Sequence, residues 1–369
     1  MLALTEEQRL LRDSAKAAIA DKAPISLWRK LRASNDEAGY SRDFWRQCAE
    51  MGWAGILIPE SHGGLDFGLV GAGLIAREMG RTLAASPFLS TAVMAARAIA
   101  PGGGETQKSL WLKRIAAGEA VVCVAIDEGP RHDPARLSTS AVEIAGGWRL
   151  NGEKTCVLDG AAADAFLVAA RAGDARALYL VAANAPGVSR GARTLVDGRR
   201  VASLRLDNVE VAADAKLGGG AKLIDDVLDA GRGVLAASLC GVAEEAFART
   251  LSYLKQRKQF DRTIGSFQAL QHRVATMHVG IENAWSATLK ALQALDKGAA
   301  TASLQIAMAK AKAGDAGRSA TAECLQLHGG IGMTDEFDIG LFLKKARVDA
   351  ELLGDPAFHA DRVATMLGY

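Results

Sequence analysis

The residues whose types and spacing are best suited to ligand chemistry lie at 257–271, RKQFDRTIGSFQALQ. Apolar residues recur at steps of three or four before and after it, which predicts two amphipathic helices joined at this corner. The corner carries Arg257, Phe260 and Gln268. The permanently charged guanidinium of Arg257, the Phe260 ring and the Gln268 amide suit a flat, phosphorylated ligand with polar edges. Basic groups also stabilise a helix C-terminus, so a solvated cap is the alternative interpretation.

Three consecutive regions must position this corner. Residues 1–118 show helical periodicity, which opens with a capping box at Thr5 and Gln8. Residues 119–216 carry short β-branched runs, and Asn151-Gly152 is typical of a tight hairpin turn between two strands. The strands expected on either side of that turn and after it lie at 121–125, 148–150, 153–158, 165–170, 177–182 and 201–211.

The last region, residues 217–369, is helical throughout. Apolar stripes and short connections predict an antiparallel four-helix bundle. Gly329 and Gly330 are expected to end the third helix, because glycine tolerates a left-handed backbone. The four helices are predicted at 223–255, 266–294, 301–327 and 337–353.

Composition excludes several functional classes. The 44 basic and 42 acidic residues leave a net charge of +2, which is not the footprint of a nucleic-acid-binding protein. The longest apolar stretch, 83–100, is interrupted by polar residues, so no membrane span is expected. Five scattered cysteines and six histidines show no metal-ligand spacing. With acidic residues at its start instead of a basic signal peptide, the chain is predicted to be cytoplasmic.

Four segments together resemble the acyl-CoA dehydrogenase family. They are RKQFDRTIGSFQALQ, MGWAGILIPESHGG (51–64), WLKRIAAGEAVVCVAI (111–126) and LQLHGGIGMTDE (325–336). They occur in the family's usual order and cover nearly the whole chain. The resemblance implies an α+β multidomain fold: an N-terminal α-helical domain, a central β-sheet or barrel domain and a C-terminal four-helix bundle.

The same resemblance implies a function. Family members are tetrameric flavoproteins that use FAD to dehydrogenate an acyl-CoA thioester in fatty acid metabolism. The expected partners are therefore an acyl-CoA substrate and an electron-transfer flavoprotein, with no nucleic acid, membrane or metal. The chain is expected to form a homo- or hetero-tetramer.

The matched motifs also imply which residues would bind FAD. Arg257 would contact the FAD pyrophosphate of a neighbouring subunit, and Phe260 would pack against the cofactor. Gln268 would reach the adenosine end, together with Gln326, Leu327, His328, Gly329 and Gly330. The isoalloxazine ring would be flanked by Val124, Cys156, Val157 and Leu158.

Two segments depart from the family pattern. Members usually follow the first ring-flanking strand with Thr or Ser and then Glu-Pro-Gly-Ala-Gly-Ser-Asp, where this chain has IDEGPRHDPARLSTS at 126–140. The second flank is usually Trp-Ile-Thr or Trp-Ile-Ser, where this chain has Cys156-Val157-Leu158. Hydroxyl and indole contacts to the ring are therefore missing.

The catalytic base also departs from the pattern. The family removes a proton from the carbon next to the thioester, which needs a carboxylate within hydrogen-bond reach. The usual glutamate position, after the fourth bundle helix, corresponds to Leu353, and the alternative position on the first bundle helix corresponds to Gly231. Neither residue can accept a proton. Asp355 is the nearest candidate, with Glu351 next if the register is shifted.

Three hypotheses remain from the sequence. The chain is an FAD-dependent acyl-CoA dehydrogenase with a displaced base. Alternatively, it is a non-catalytic or half-site subunit of a heteromeric α2β2 acyl-CoA dehydrogenase, because the ending LLGDPAFHADRVA resembles the small subunits of such assemblies. The third hypothesis is a flavin-dependent oxidase or monooxygenase on the same fold.

Overall fold

A computed structural model describes residues 3–34 and 36–369, which form two compact units. The bundle unit contains the described residues of Met1–Arg29 with Leu69–Ala84 and Arg232–Tyr369. The sheet unit contains the described residues of Lys30–Gly68 with Ala85–Gly231. The order along the chain is helices, then a sheet, then helices, as predicted.

The secondary-structure elements of the described residues are as follows. The helices are α1 (Glu6–Lys22), α2 (Ile25–Ser34), α3 (Arg42–Glu50), α4 (Leu69–Thr82), α5 (Ala96–Gly102), α6 (Glu105–Gln107), α7 (Lys113–Ala116), α8 (Gly220–Gln256), α9 (Gln268–Asp296), α10 (Ala302–His328), α11 (Ile339–Glu351) and α12 (Pro356–Leu367). The strands are β1 (Val122–Ala125), β2 (Ser140–Ile144), β3 (Gly147–Leu158), β4 (Ala165–Ala172), β5 (Ala175–Ala182), β6 (Val188–Thr194), β7 (Arg200–Ala212), β8 (Lys258–Gln259) and β9 (Arg262–Thr263).

The bundle unit is built on long helices with buried stripes. Leu235, Leu239 and Val242 of α8 are buried, as their spacing predicts. The four predicted bundle helices are present as α8 to α11, and Gly329, with φ of 64°, ends α10. The fourth helix stops two residues earlier than predicted, and α12 follows it after a tight turn.

Helix α4 approaches α8 closely inside the bundle unit. A Cβ atom added at Gly80 would overlap the carbonyl oxygen of Ser238, and one added at Gly241 would overlap that of Arg77. The close approach brings Arg77 into an ion pair with Glu244, with Nε 3.0 Å from Oε1. The two glycines therefore set the distance between the helices.

Gly241→Ala should lower the free energy of unfolding by about 1–3 kcal/mol, because the added methyl has no space between the two backbones. Urea denaturation of the purified protein measures this. Gly280→Ala on α9 is the matched control, since nothing lies within 4 Å of its Cβ position. The control should be neutral or gain about 0.5–1 kcal/mol from helix propensity. Equal losses in both variants would contradict the crossing as the cause.

The sheet unit carries a seven-stranded sheet. Its order is β1-β4-β2-β3-β7-β6, and β5 pairs with β4. β1 and β4 are parallel, whereas β3, β7 and β6 are antiparallel neighbours. The hydroxyl of Thr91 donates to the Val122 carbonyl at 3.0 Å and accepts from the Val122 amide, which attaches a π-helical segment, Phe88–Ala95, to β1. The sequence did not indicate β2 or β6.

The predicted hairpin turn at Asn151-Gly152 is wrong. Both residues lie inside the continuous strand β3, and the turn between β2 and β3 falls at 145–146. Gly152, with φ of 151°, sits where the register against β7 shifts, and a Cβ there would overlap Thr139. The Asn151 side chain accepts a hydrogen bond from the Asn208 amide at 2.8 Å. Glycine is needed here for a bulge and a close approach, not for a chain reversal.

No helix in the described ranges combines the length and apolarity that crossing a bilayer requires. Those ranges also contain no group of three or more His, Cys, Asp or Glu side chains placed to hold a metal ion.

Candidate functional site

The predicted cofactor corner of the bundle unit is a miniature hairpin between α8 and α9. β8 and β9 pair antiparallel, and the tip residues Phe260 and Asp261 both have positive φ, 53° and 62°. The Phe260 ring is 84% exposed. The Arg262 guanidinium lies 3.9 Å from the centre of the Phe267 ring, which stiffens the hairpin. The corner therefore presents an aromatic side chain to solvent from a well-defined backbone.

Arg257 and Gln268 stand at the two ends of this hairpin, and both side chains are exposed. The Arg257 amide donates to the Tyr253 carbonyl at 2.8 Å, which continues the α8 hydrogen-bonding pattern by one residue. The guanidinium thus extends from a fixed helix end, where a fork of donors can bind a phosphate. Its assignment to FAD stays a prediction.

The end of α10 is connected to this corner through Tyr253. The Tyr253 ring stacks on the His328 ring with centroids 4.5 Å apart, and its hydroxyl donates to the His328 carbonyl at 3.3 Å. Leu327 and His328 are buried, whereas Gln326, Gly329 and Gly330 are exposed. A Cβ at either glycine would meet no atom within 4 Å, so the backbone is open to a ligand. Sequence reasoning missed Tyr253, although its position one helical turn before Arg257 was a usable signal.

The residues predicted to flank a flavin ring lie on β1 and at the end of β3 in the sheet unit. Val124, Val157 and Leu158 are buried, and Cys156 is half-buried. Burial raises the pKa of the Cys156 thiol, so the neutral form is favoured. None of these four side chains supplies a hydroxyl donor.

An ion pair connects Glu128, in the loop after β1, with the buried Lys154 on β3, two residues before Cys156. Lys154 Nζ lies 2.7 Å from Glu128 Oε1 and donates to the Ile126 carbonyl at 3.1 Å. Glu128 also accepts from the amides of Ser138 and Thr139. Burial opposes ionisation of Glu128, but these hydrogen bonds outweigh it and lower its pKa to about 2. Hydrogen bonds from the far end of the 126–140 loop and from β3 therefore meet at the Glu128 carboxylate. The sequence did not indicate this structural role.

The turn that contains Leu353, which the resemblance predicts to occupy the family's base position, lies between α11 and α12. Leu353 is buried there with φ of 59°, a conformation rare for a residue with a bulky side chain. Its carbonyl accepts from Arg232 Nε and from His359 Nε2, both at 3.1 Å. Lys310 Nζ donates to the carbonyls of Ala350 at 2.9 Å and Gly354 at 3.0 Å. Three nitrogen-bearing side chains from three helices therefore fix the turn.

The surroundings of this turn favour the uncharged forms of Lys310 and His359. Burial, with a smaller contribution from Arg232, lowers the pKa of Lys310 to about 7, although Asp349 acts in the opposite direction. Burial and the charges of Arg232 and Lys310 lower the pKa of His359 to about 2. The His359 imidazole is therefore neutral at physiological pH and donates through Nε2.

The two substitute base candidates have other partners. Asp355 is the N-cap of α12, and its carboxylate accepts from the Phe358 amide at 2.7 Å. Glu351 is exposed and pairs with Arg347 at 3.2 Å on the same helix. Gly231 lies buried within α8. Neither of the two positions predicted for the base, 231 and 353, carries a carboxylate.

Comparison with known proteins decides the family. Profiles of the acyl-CoA dehydrogenase N-terminal, middle and C-terminal domains match residues 5–119, 124–209 and 218–368. The chain belongs to the acyl-CoA dehydrogenase family. Because this is a family of oxidoreductases, the predicted enzyme class and the three-part architecture are both confirmed.

Individual members of the acyl-CoA dehydrogenase family resemble the chain over nearly its full length. Acyl-CoA dehydrogenase IpdE2 of Mycobacterium tuberculosis is 31% identical over 354 residues, which cover 95% of this chain and 94% of that protein. A solved variant of the Tcur3481-Tcur3483 steroid ACAD is 31% identical, with a TM-score of 0.91 and 98% of each chain covered. The ChsE4-ChsE5 complex of Mycobacterium tuberculosis is 28% identical, with a TM-score of 0.93, covering 100% of this chain and 98% of that one.

Proposed function

We propose that this acyl-CoA dehydrogenase family member acts in FAD-dependent α,β-dehydrogenation of an acyl-CoA thioester as the base-lacking subunit of a heteromeric assembly. The observation that carries the proposal is the turn at Leu353. Its backbone is held by Arg232, His359 and Lys310, yet the side chain it presents cannot accept a proton. A partner chain would then supply the carboxylate.

The match between the candidate residues and the parts of FAD supports a cofactor that is shared between two subunits. Arg257, Gln268 and the open glycines 329–330 suit the pyrophosphate and adenosine end of FAD, because they offer exposed charge, amide groups and accessible backbone. Cys156, Val157 and Leu158 do not suit the ring, since they offer it no hydroxyl donor. When bound, FAD would accept the hydride from the substrate. This chain would bind the adenosine end of a cofactor whose ring is bound by its partner.

The names of similar structures support the same assembly. One name joins two designations, Tcur3481 and Tcur3483, for a steroid ACAD, and the other structure is of a ChsE4-ChsE5 complex. A hetero-tetramer that passes its electrons to an electron-transfer flavoprotein is the arrangement we propose for this chain. The steroid named for one relative makes bulky acyl-CoA thioesters the first substrates to test.

Visible absorption spectra of the chain, purified alone and co-purified with a family member that carries the glutamate, test the proposal. The chain alone should hold little flavin and should not bleach when acyl-CoA thioesters are added anaerobically. The co-purified complex should hold flavin and bleach. Flavin-loaded chain that bleaches by itself would overturn the assignment and favour a displaced base.

Substitutions at Asp355 distinguish its role as a helix N-cap from a role as the catalytic base. Asp355→Asn should change the turnover of the assembled enzyme less than about twofold, since asparagine is as good an N-cap as aspartate. Asp355→Ala should lower the free energy of unfolding by about 1 kcal/mol through loss of the cap. If Asp355 were the base, the asparagine variant would lose about 10²–10⁴ in rate. Steady-state kinetics with urea denaturation of both variants decide between the roles.

A further inference from the structure

The outer face of β3, β7 and β6 in the sheet unit carries an ordered set of polar side chains. Strand pairing aligns Ser189 with Arg205, and Arg205 with Glu153. The next row on the same face aligns Gly191 with Ser203. Because side chains alternate between the faces of a strand, these residues point to one side of the sheet.

A third row extends this face. Arg193 aligns with Val201, and Val201 aligns with Leu158. Arg193 and Arg205 therefore lie at opposite ends of a groove whose floor is formed by Gly191 and Ser203. The groove has a volume of about 380 Å³, and Arg190 and Thr155 also line it.

The charges of the groove are not balanced. Arg193 is exposed and forms no ion pair with any residue that the structure describes. Arg205 approaches Glu153 only at 4.0 Å, and both side chains are more than 60% exposed, so this pair is weak. Arg190 is oriented by hydrogen bonds from Nη1 to the Gly160 and Ala163 carbonyls. Because Arg190 alternates with Ser189 and Gly191 along β6, its side chain points to the opposite face. Two guanidinium groups, those of Arg193 and Arg205, thus face the one carboxylate of Glu153.

We propose that this groove binds a phosphate-bearing anion. Planar guanidinium groups bind phosphate oxygens in pairs, and the Ser189 hydroxyl adds a donor between them. The Ser203 hydroxyl donates to the Gly191 carbonyl at 3.3 Å and can accept from a ligand. Gly191 leaves the floor open, because a Cβ there would meet only the Ser203 hydroxyl, at 3.1 Å. The volume suits a diphosphate group and is too small for a protein surface. This inference does not depend on the proposed dehydrogenase role.

Isothermal titration of inorganic pyrophosphate into the full chain tests the site at low ionic strength. Saturable binding is expected, and Arg193→Gln and Arg205→Gln should each weaken it by about tenfold or more, because each removes a charge-assisted contact. Arg149→Gln is the matched control. Arg149 is an exposed arginine on the same sheet, paired with the exposed Glu210, and its loss should leave binding unchanged.

A second titration with coenzyme A distinguishes the sources of the phosphate. Tighter binding of coenzyme A than of pyrophosphate, weakened by the same two substitutions, identifies a nucleotide end as the ligand, whereas equal binding identifies free phosphate. Absence of saturable pyrophosphate binding, or equal binding by the wild type and Arg193→Gln, would overturn the proposal.

Discussion

Replacing Arg257 with glutamine should weaken flavin binding by the assembled protein by about ten- to a hundredfold. A hydrogen bond to a charged group contributes about 1.5–3 kcal/mol, and glutamine keeps a donor but loses the charge and the fork. Arg257 is exposed at the end of α8, so its loss should not disturb the bundle. Flavin fluorescence released on dilution gives the dissociation constant directly.

Lys258→Gln is the control for that experiment. Lys258 is the neighbouring residue, is exposed and carries the same charge, so its replacement makes an equal change in net charge. Flavin affinity should be close to that of the wild type. An equal loss in both variants would show general electrostatic attraction, and an unchanged Arg257→Gln variant would remove Arg257 from the cofactor site.

The second large effect concerns Lys310 and pH. The pKa of Lys310 is about 7 in the folded protein and about 10.5 in the unfolded chain. Between these values the unfolded chain binds a proton that the folded protein does not, so the free energy of unfolding rises with pH across this window. Below pH 7 the cost of burying the charge is fully present. The shift corresponds to about 4 kcal/mol between pH 7 and pH 10.5.

Lys310→Met should remove this rise. Urea denaturation at several pH values should show the wild type gaining about 4 kcal/mol relative to the variant as pH increases from 7 to 10.5. The variant also loses the hydrogen bonds to Ala350 and Gly354, but that loss adds a nearly constant offset. Lys312→Met, an exposed lysine on the same helix, is the control and should follow the wild type. Parallel pH profiles for wild type and Lys310→Met would refute a neutral buried amine.

Local signals predicted much of the fold. The capping box at Thr5 and Gln8 is present, with the Gln8 amide 3.2 Å from the Thr5 hydroxyl, because its partners are three residues apart. The long bundle helices were predicted for a similar reason, since a stripe repeats within one helix. Asn151-Gly152 was misread because the same dipeptide serves turns and bulges. Only the pairing of β3 with β7, about fifty residues away, distinguishes them.

The candidate site was less accessible to sequence reasoning. Alignment with the family motif drew attention to Leu353. The neighbouring sequence does not indicate that Arg232, Lys310 and His359 contact its turn from three different helices. The ion pair of Lys154 and Glu128 was equally inaccessible, because its partners are 26 positions apart in the sequence. Contacts of this kind depend on tertiary packing, which periodicity and spacing do not encode.

Strand β6 lies at the edge of its sheet, and six of its seven residues are exposed. Exposed edge strands promote pairing between molecules and hence aggregation, unless charged side chains oppose it. β6 carries Arg190 and Arg193 on either side of Gly191. Two such edges brought together would place like charges against each other. The arginines therefore oppose pairing of β6 with a strand of another molecule.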